Sequence, residues 1–191
     1  MEQTEREQDW IRRAQRGDVG AYDALVRAYE RLAFRAAYLI TRDEHEAADA
    51  AQDAFVRAYR ALHTFRAGEP FRPWLMRIVT NQALNRIQAH KRRANMNEKY
   101  AQTENEKRET RNAQEHLETR EQNEKLMRAV QRLKPDEQTL ITLRYFLELP
   151  ETEVAQTLKI PQGTVKSRLH RTLAKLREII AREFPDLVEL V

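Results

Sequence analysis

The chain has no cysteine among its 191 residues. That excludes disulfides and thiol chemistry and suits a reducing cytosol. Four glycines and six prolines leave no room for a glycine-rich phosphate loop, and neither clustered carboxylates nor a metal-ligand set replaces it. An enzyme acting on nucleic acid is therefore disfavoured: no catalytic residues, cofactor or metal site are expected. His45 and Asp49 have a ligand spacing but lack further donors. The amino-terminal Met1–Gln8 segment is polar without an apolar signal core, and no run approaches a membrane span. A cytoplasmic protein without membrane insertion is the expectation. Alternating strand patterns bounded by turn signals are also missing, while long helical periodicities dominate. The fold class expected is all-α, in two small helical domains.

Charge is plentiful: 34% of residues are charged and the net charge is +4. Its placement says more than its total. Residues 65–93 carry seven bases against one acid, Glu69, and residues 159–182 carry seven against Glu178. Two separated basic faces suggest two contacts with one polyanion.

The second basic stretch lies in Glu151–Arg182. A short helix with Val154, Ala155 and Leu158 on its apolar stripe leads to Ile160 and Pro161. A longer helix follows, with Val165, Leu169, Thr172, Leu173, Leu176, Ile179 and Ile180 on one face. Proline suits the first turn of a helix and cannot continue one. This is a helix-turn-helix pattern. Thr164, Ser167, His170, Arg171 and Lys175 are left on the outer face, where short polar and cationic side chains suit a major groove.

The first half begins with a helix at about Asp9–Arg16, stopped by Gly17. A second, capped by Asp18, carries Tyr22, Leu25, Val26, Tyr29, Leu32, Ala36, Leu39 and Ile40. A third opens on Asp43 and Glu46 as a capping box and lines one side with Ala47, Ala50, Ala51, Ala54, Phe55, Ala58 and Leu62. Its opposite side presents Asp49, Gln52, Asp53 and Val56. Two like charges four residues apart repel. Either Arg57 pairs with Asp53 internally or the face docks a basic partner helix.

Residues 64–73 form a loop holding Phe65, Arg66, Phe71 and Arg72 between two prolines and a glycine. The helix that follows, Trp74 to about Arg93, buries Leu75, Ile78, Val79, Ala83 and Ile87. It presents Trp74, Arg77, Asn81, Asn85, Gln88 and Arg92, a mixture suited to base edges, stacking and phosphates. From Ala94 to Gln122 the apolar pattern collapses, which marks a polar linker. Its 29 residues can reach about 95 Å when extended. Folding resumes at about Asn123 with Leu126, Val130 and Leu133, then Leu140, Ile141, Leu143, Tyr145 and Phe146, with Pro135 and Pro150 at the joints. Domains are accordingly expected at 1–93 and 123–191, separated by a 94–122 linker.

Four blocks together resemble the extracytoplasmic-function class of bacterial sigma factors. They are Ala14-Gln-Arg-Gly-Asp18 with Ala21, Leu25 and Tyr29; Glu46 to Phe55; Phe71 to Asn81; and Ile160 to Arg171. The resemblance implies a non-enzymatic initiation factor that binds core RNA polymerase and both double-stranded and melted promoter DNA, usually held off by an anti-sigma factor. By position, Asp49, Gln52, Asp53 and Phe55 match the block that docks on the polymerase clamp helices. The Phe65–Arg72 loop and the helix bearing Asn81 match the −10 reader, where a base is flipped and neighbouring pairs melt. Gln162, Thr164, Lys166, Ser167, Arg168, His170 and Arg171 match the −35 reader, which Lys175 extends along the same helix. The linker matches a segment threaded through the polymerase cleft. Ala48 departs from a common acidic residue, Glu148 from the usual Gly, Pro150 from Ser or Thr, and Gln138 from a frequent Arg. A free-standing two-domain DNA-binding regulator is the alternative, separated from the sigma reading by the 49–56 face and the 64–93 loop and helix.

Overall fold

The computed structural model describes residues 2–66, 68–97 and 115–190, and every regular element among them is helical. The amino-terminal unit holds α1 (Glu2–Gln15), α2 (Val19–Thr41), α3 (Glu44–Ala61) and α4 (Phe71–Asn97), with a 3-10 turn at Leu62–Thr64. The carboxy-terminal unit holds α5 (Glu115–Gln131), α6 (Pro135–Ile141), a π-helical turn at Thr142–Phe146, α7 (Glu151–Leu158), α8 (Gln162–Glu183) and a 3-10 stretch at Pro185–Leu190.

Local chemistry sets the joints. α1 starts well before Asp9 and ends where Gly17, at φ 92°, adopts the left-handed conformation open to glycine. Asp18 then caps α2 by accepting the Ala21 N–H at 3.0 Å, and Asp43 caps α3 by accepting from Glu46 at 2.8 Å. The capping-box expectation holds by that half: the Glu46 carboxylate goes to Arg86 instead. α2 and α3 pack against each other and both bury small residues, Ala33, Ala36 and Ala37 on α2 and Ala47, Ala50, Ala51, Ala54 and Ala58 on α3. Larger side chains fill the flanks, and Leu25, Leu62, Leu75, Met76 and Val79 are fully buried. Each such side chain contributes about 1.5–3 kcal/mol.

α4 begins at Phe71 rather than Trp74. Pro73 sits in its first turn, where the missing N–H has no helical partner to lose. The loop shortens to residues 65–70, and α1 holds it. Gln8 donates to the Glu69 carbonyl at 3.2 Å and accepts from the Gly68 N–H at 3.0 Å. Gln15 donates to the Leu62 and Phe65 carbonyls at 2.9 and 2.7 Å.

Helix also covers both ends of the expected linker, as far as Asn97 and from Glu115; residues 98–114 lie outside the described residues. Gln138 donates to the Gln131 and Leu133 carbonyls at 3.0 and 2.8 Å, closing the end of α5. Leu143, Leu149, Val154 and Val165 centre the second core. Lys159 makes the helix-turn-helix break in a left-handed conformation (φ 53°), and the Ile160 N–H donates to the Ala155 carbonyl at 3.0 Å. α7 also packs on α4, so the two units touch.

Candidate polymerase and promoter interfaces

α3 presents Asp49, Gln52, Asp53 and Val56 to solvent on one side, with the Asp49 and Asp53 side chains 60% and 55% exposed. Their internal partner is not Arg57, which is exposed and has no acidic partner among the described residues. It is Arg86 on α4. One guanidinium nitrogen donates to Glu46 and Asp49 at 2.9 and 3.0 Å, and the other to Asp53 at 2.9 Å. Burial opposes the charge of Arg86, but the hydrogen bonds to Glu46 and Asp53 and the field of Asp49 outweigh it and raise its pKa. Phe55, on the opposite side, is half-buried, and its carbonyl accepts from the Tyr22 hydroxyl at 2.6 Å. Tyr59 extends the exposed face one turn past Val56, its ring centroid 4.8 Å from that of Tyr22. Sequence reasoning missed Arg86 and Tyr59. The unpartnered acid pair on α3 was the available signal for the first; an apolar residue seven positions beyond Gln52 was the signal for the second.

The loop aromatics need a correction. Phe65 and Phe71, expected at the DNA surface, are core residues with 4% and 1% exposure. Phe65, Phe71 and Trp74 form one cluster, with centroids 5.0–5.7 Å apart, and Tyr29 closes it 5.5 Å from Phe71. Aromatic side chains this large are worth more in the core than at the surface. Phe65 and Phe71 hold the loop's shape, and Trp74 is half-buried against them. Arg66, Asn81, Asn85, Gln88 and Arg92 are exposed as expected, and Arg77 is half-buried.

Arg72 has a partner in the other unit. Its guanidinium bonds both carboxylate oxygens of Glu153 on α7, through Nε at 2.6 Å and through Nη2. Beside this pair, a cleft runs between Glu69, Pro70, Pro73, Trp74 and Arg77 on one wall and Ala155, Gln156, Lys159 and Ile160 on the other. Nearby, burial and a hydrogen bond to Glu7 raise the pKa of the Tyr29 hydroxyl. The first helix of the helix-turn-helix thus lies across the start of α4.

On α8, Gln162, Lys166, Ser167, Arg168, His170 and Arg171 are exposed and Thr164 is half-buried. The Ser167 hydroxyl donates back to the Thr164 carbonyl at 3.1 Å, and Arg171 Nε to the Ser167 carbonyl at 3.3 Å. Lys175, expected on the −35-reading face, is half-buried and bonds Glu137 on α6 at 2.7 Å. One helical turn past Arg171, it comes within reach of α6, where an acid meets it.

An all-helical chain with one acidic-apolar face, a polar and cationic α4 and a helix-turn-helix is the class of a transcription factor that reads DNA while docked on a partner. Residues 25–93 match the Sigma-70 region 2 family and residues 123–176 the Sigma-70 region 4 family. The RNA polymerase sigma-H factor of Pseudomonas aeruginosa is 35% identical, with 96% of each chain covered. The ECF RNA polymerase sigma factor SigW of Bacillus subtilis is 30% identical over 93% of this chain and 96% of the relative. The sigma-E factor of Escherichia coli is 32% identical over 93% and 94%. The solved complex of CnrH with the cytosolic domain of CnrY shares the fold at a TM-score of 0.67 and 21% identity, covering 93% of this chain and 99% of that one. The chain belongs to the ECF RNA polymerase sigma factors of the sigma-70 family. As such it binds core RNA polymerase and directs promoter recognition and transcription initiation.

Proposed function

We propose that the sigma activity divides between the two helical units, residues 1–93 and 123–191. α3 docks core polymerase through Asp49, Gln52, Asp53 and Val56. α4 and its preceding loop engage the −10 element, and α8 reads the −35 element in the major groove. The observation that carries this is the outward placement, on separate units of one chain, of an acidic face on α3 and a cationic face on α8. On the first unit, Arg66, Arg72, Trp74, Arg77, Asn81, Asn85, Gln88 and Arg92 meet the melted strand, while Phe65 and Phe71 support them from the core. On the second, Gln162, Thr164, Lys166, Ser167, Arg168, His170 and Arg171 meet the duplex.

The protein performs no bond chemistry of its own and works in the bacterial cytoplasm. Its membership of a family of RNA polymerase sigma factors supports both statements. An anti-sigma factor is a further partner. A similarly folded sigma factor, RpoE of Bartonella quintana (TM-score 0.63, 17% identity), was solved in complex with the anti-sigma factor NepR.

The test is co-elution with bacterial core RNA polymerase on a sizing column, beside the Asp49→Lys/Asp53→Lys variant. Co-elution by the parent and its loss in a folded variant are expected. Failure of the parent to co-elute while it still binds DNA means a free-standing regulator.

A further inference from the structure

Arg86 is the most connected charged side chain among the described residues, and its position is unusual for a structural pair. It is 26% exposed and lies between α4 and the solvent-facing acids of α3. Glu46, only 32% exposed, anchors the guanidinium from the inner side. Asp49 and Asp53 each reach it through Oδ2 alone. No other described hydrogen bond or ion pair engages either carboxylate. Each therefore keeps Oδ1 for a ligand from solvent, and one guanidinium holds both.

We propose that Arg86 is a positioning residue for polymerase docking: its guanidinium fixes the Asp49 and Asp53 carboxylates so that their free oxygens face a basic helix of the partner together. This rests on the reading of α3 as the docking face.

Carboxylates four residues apart on a helix repel, and alone they would adopt diverging rotamers. A partner's Arg or Lys would then have to order them, at an entropic cost that preorganisation removes. A planar guanidinium with several donors in fixed directions suits this task better than an ammonium.

The sign of the effect separates positioning from simple charge. Removing a cation makes the α3 face more acidic, and by long-range electrostatics alone it would bind a basic partner more tightly. Loss of positioning weakens binding instead.

The experiment measures the affinity of the full chain for bacterial core RNA polymerase in Arg86→Gln, Arg86→Lys, Asp49→Asn/Asp53→Asn and the triple variant combining Arg86→Gln with both Asn changes. Melting temperature and helix content are recorded for each. Arg86→Gln should bind about tenfold more weakly, within the range of couplings inside one network. Arg86→Lys should fall between it and the parent. The triple variant should bind no worse than the double, because Arg86 acts only through the two aspartates. Binding by Arg86→Gln equal to or tighter than the parent overturns the proposal, as does a triple variant weaker than the double by the full tenfold. If Arg86→Gln does not fold, Arg86→Lys decides: parent-like affinity refutes positioning. If the Asp49→Asn/Asp53→Asn variant binds like the parent, the docking face itself is wrong, a failure read independently of Arg86.

Discussion

Replacing Glu153 with glutamine should make the free protein a better binder of single-stranded DNA. Arg72 gives its Nε–Nη2 edge to the Glu153 carboxylate, so a phosphate can take that bidentate edge only by displacing it. The Arg72 and Glu153 side chains are 39% and 21% exposed, which places the pair between two regimes. Fully exposed ion pairs contribute about 0.2–1 kcal/mol, and hydrogen bonds to charged groups about 1.5–3 kcal/mol. A value of about 1 kcal/mol follows, equal to roughly a fivefold change in affinity. The assay is fluorescence anisotropy of a short labelled single-stranded oligonucleotide with Glu153→Gln and the parent at one salt concentration. Glu151→Gln is the control, since Glu151 lies on the same helix, loses the same charge and has no ion pair among the described residues. A fivefold gain confined to Glu153→Gln is expected. Equal affinities, or an equal gain in the control, refute the idea that α7 competes with DNA for Arg72.

Phosphate contacts on α8 should differ in salt dependence. Arg168 has no acidic partner among the described residues whereas Lys175 is held by Glu137, so Arg168→Ala should reduce the slope of log affinity against log salt by about 0.9 per contact, and Lys175→Ala by clearly less. Glu148 stands at φ 54°, a left-handed conformation that costs a non-glycine residue about 1–2 kcal/mol. Glycine relieves that cost at an entropic penalty of about 0.5–1 kcal/mol; Glu148→Gly should raise the melting temperature slightly, and a lower one contradicts the reasoning. Burial alone would raise the pKa of Glu137, but hydrogen bonds from Lys175 and the Lys134 N–H bring it below the ordinary carboxylate value. Its contribution is therefore complete above the unfolded-state value and is lost as pH falls through the folded one. Glu137→Gln should flatten the fall of stability as pH drops through and below the ordinary carboxylate range, as followed by urea melts.

The helices were legible because burial imposes a period on the chain. Ala21, Leu25, Ala33, Ala36 and Ile40 on α2, and the buried alanines of α3, fall on faces set by three- and four-residue steps or their sums and occupy the core as that pattern requires. Caps were legible too, since Asp18 and Asp43 act within three residues of themselves. The start of α4 was not. Two prolines flank Phe71-Arg72, and proline reads as a break, yet Pro73 falls in a first turn where it costs nothing. Placing Phe65 and Phe71 failed for a related reason: a loop aromatic has no periodic neighbours, and the cluster with Tyr29 and Trp74 that takes those rings inward joins separate elements.

Charge shows the limit most clearly. A sequence reveals that a side chain is cationic and on an outer face, but neutralisation happens across elements at separations that carry no period. Arg72 and Lys175 both belong to basic stretches, yet each meets an acid, 81 residues away in one case and 38 in the other. Arg86 went unnoticed because on α4 alone it is one more base in a basic run. Its significance comes from α3, where Asp49 and Asp53 repel each other until a third helix position supplies the counter-charge. The strength of a docking or reading face therefore depends less on its formal charge than on which charges the fold has already paired. That distribution explains how one chain can carry opposite faces within a single helical unit without their collapsing on each other: Arg86 satisfies the acids from the inner side and leaves their outer oxygens for a partner.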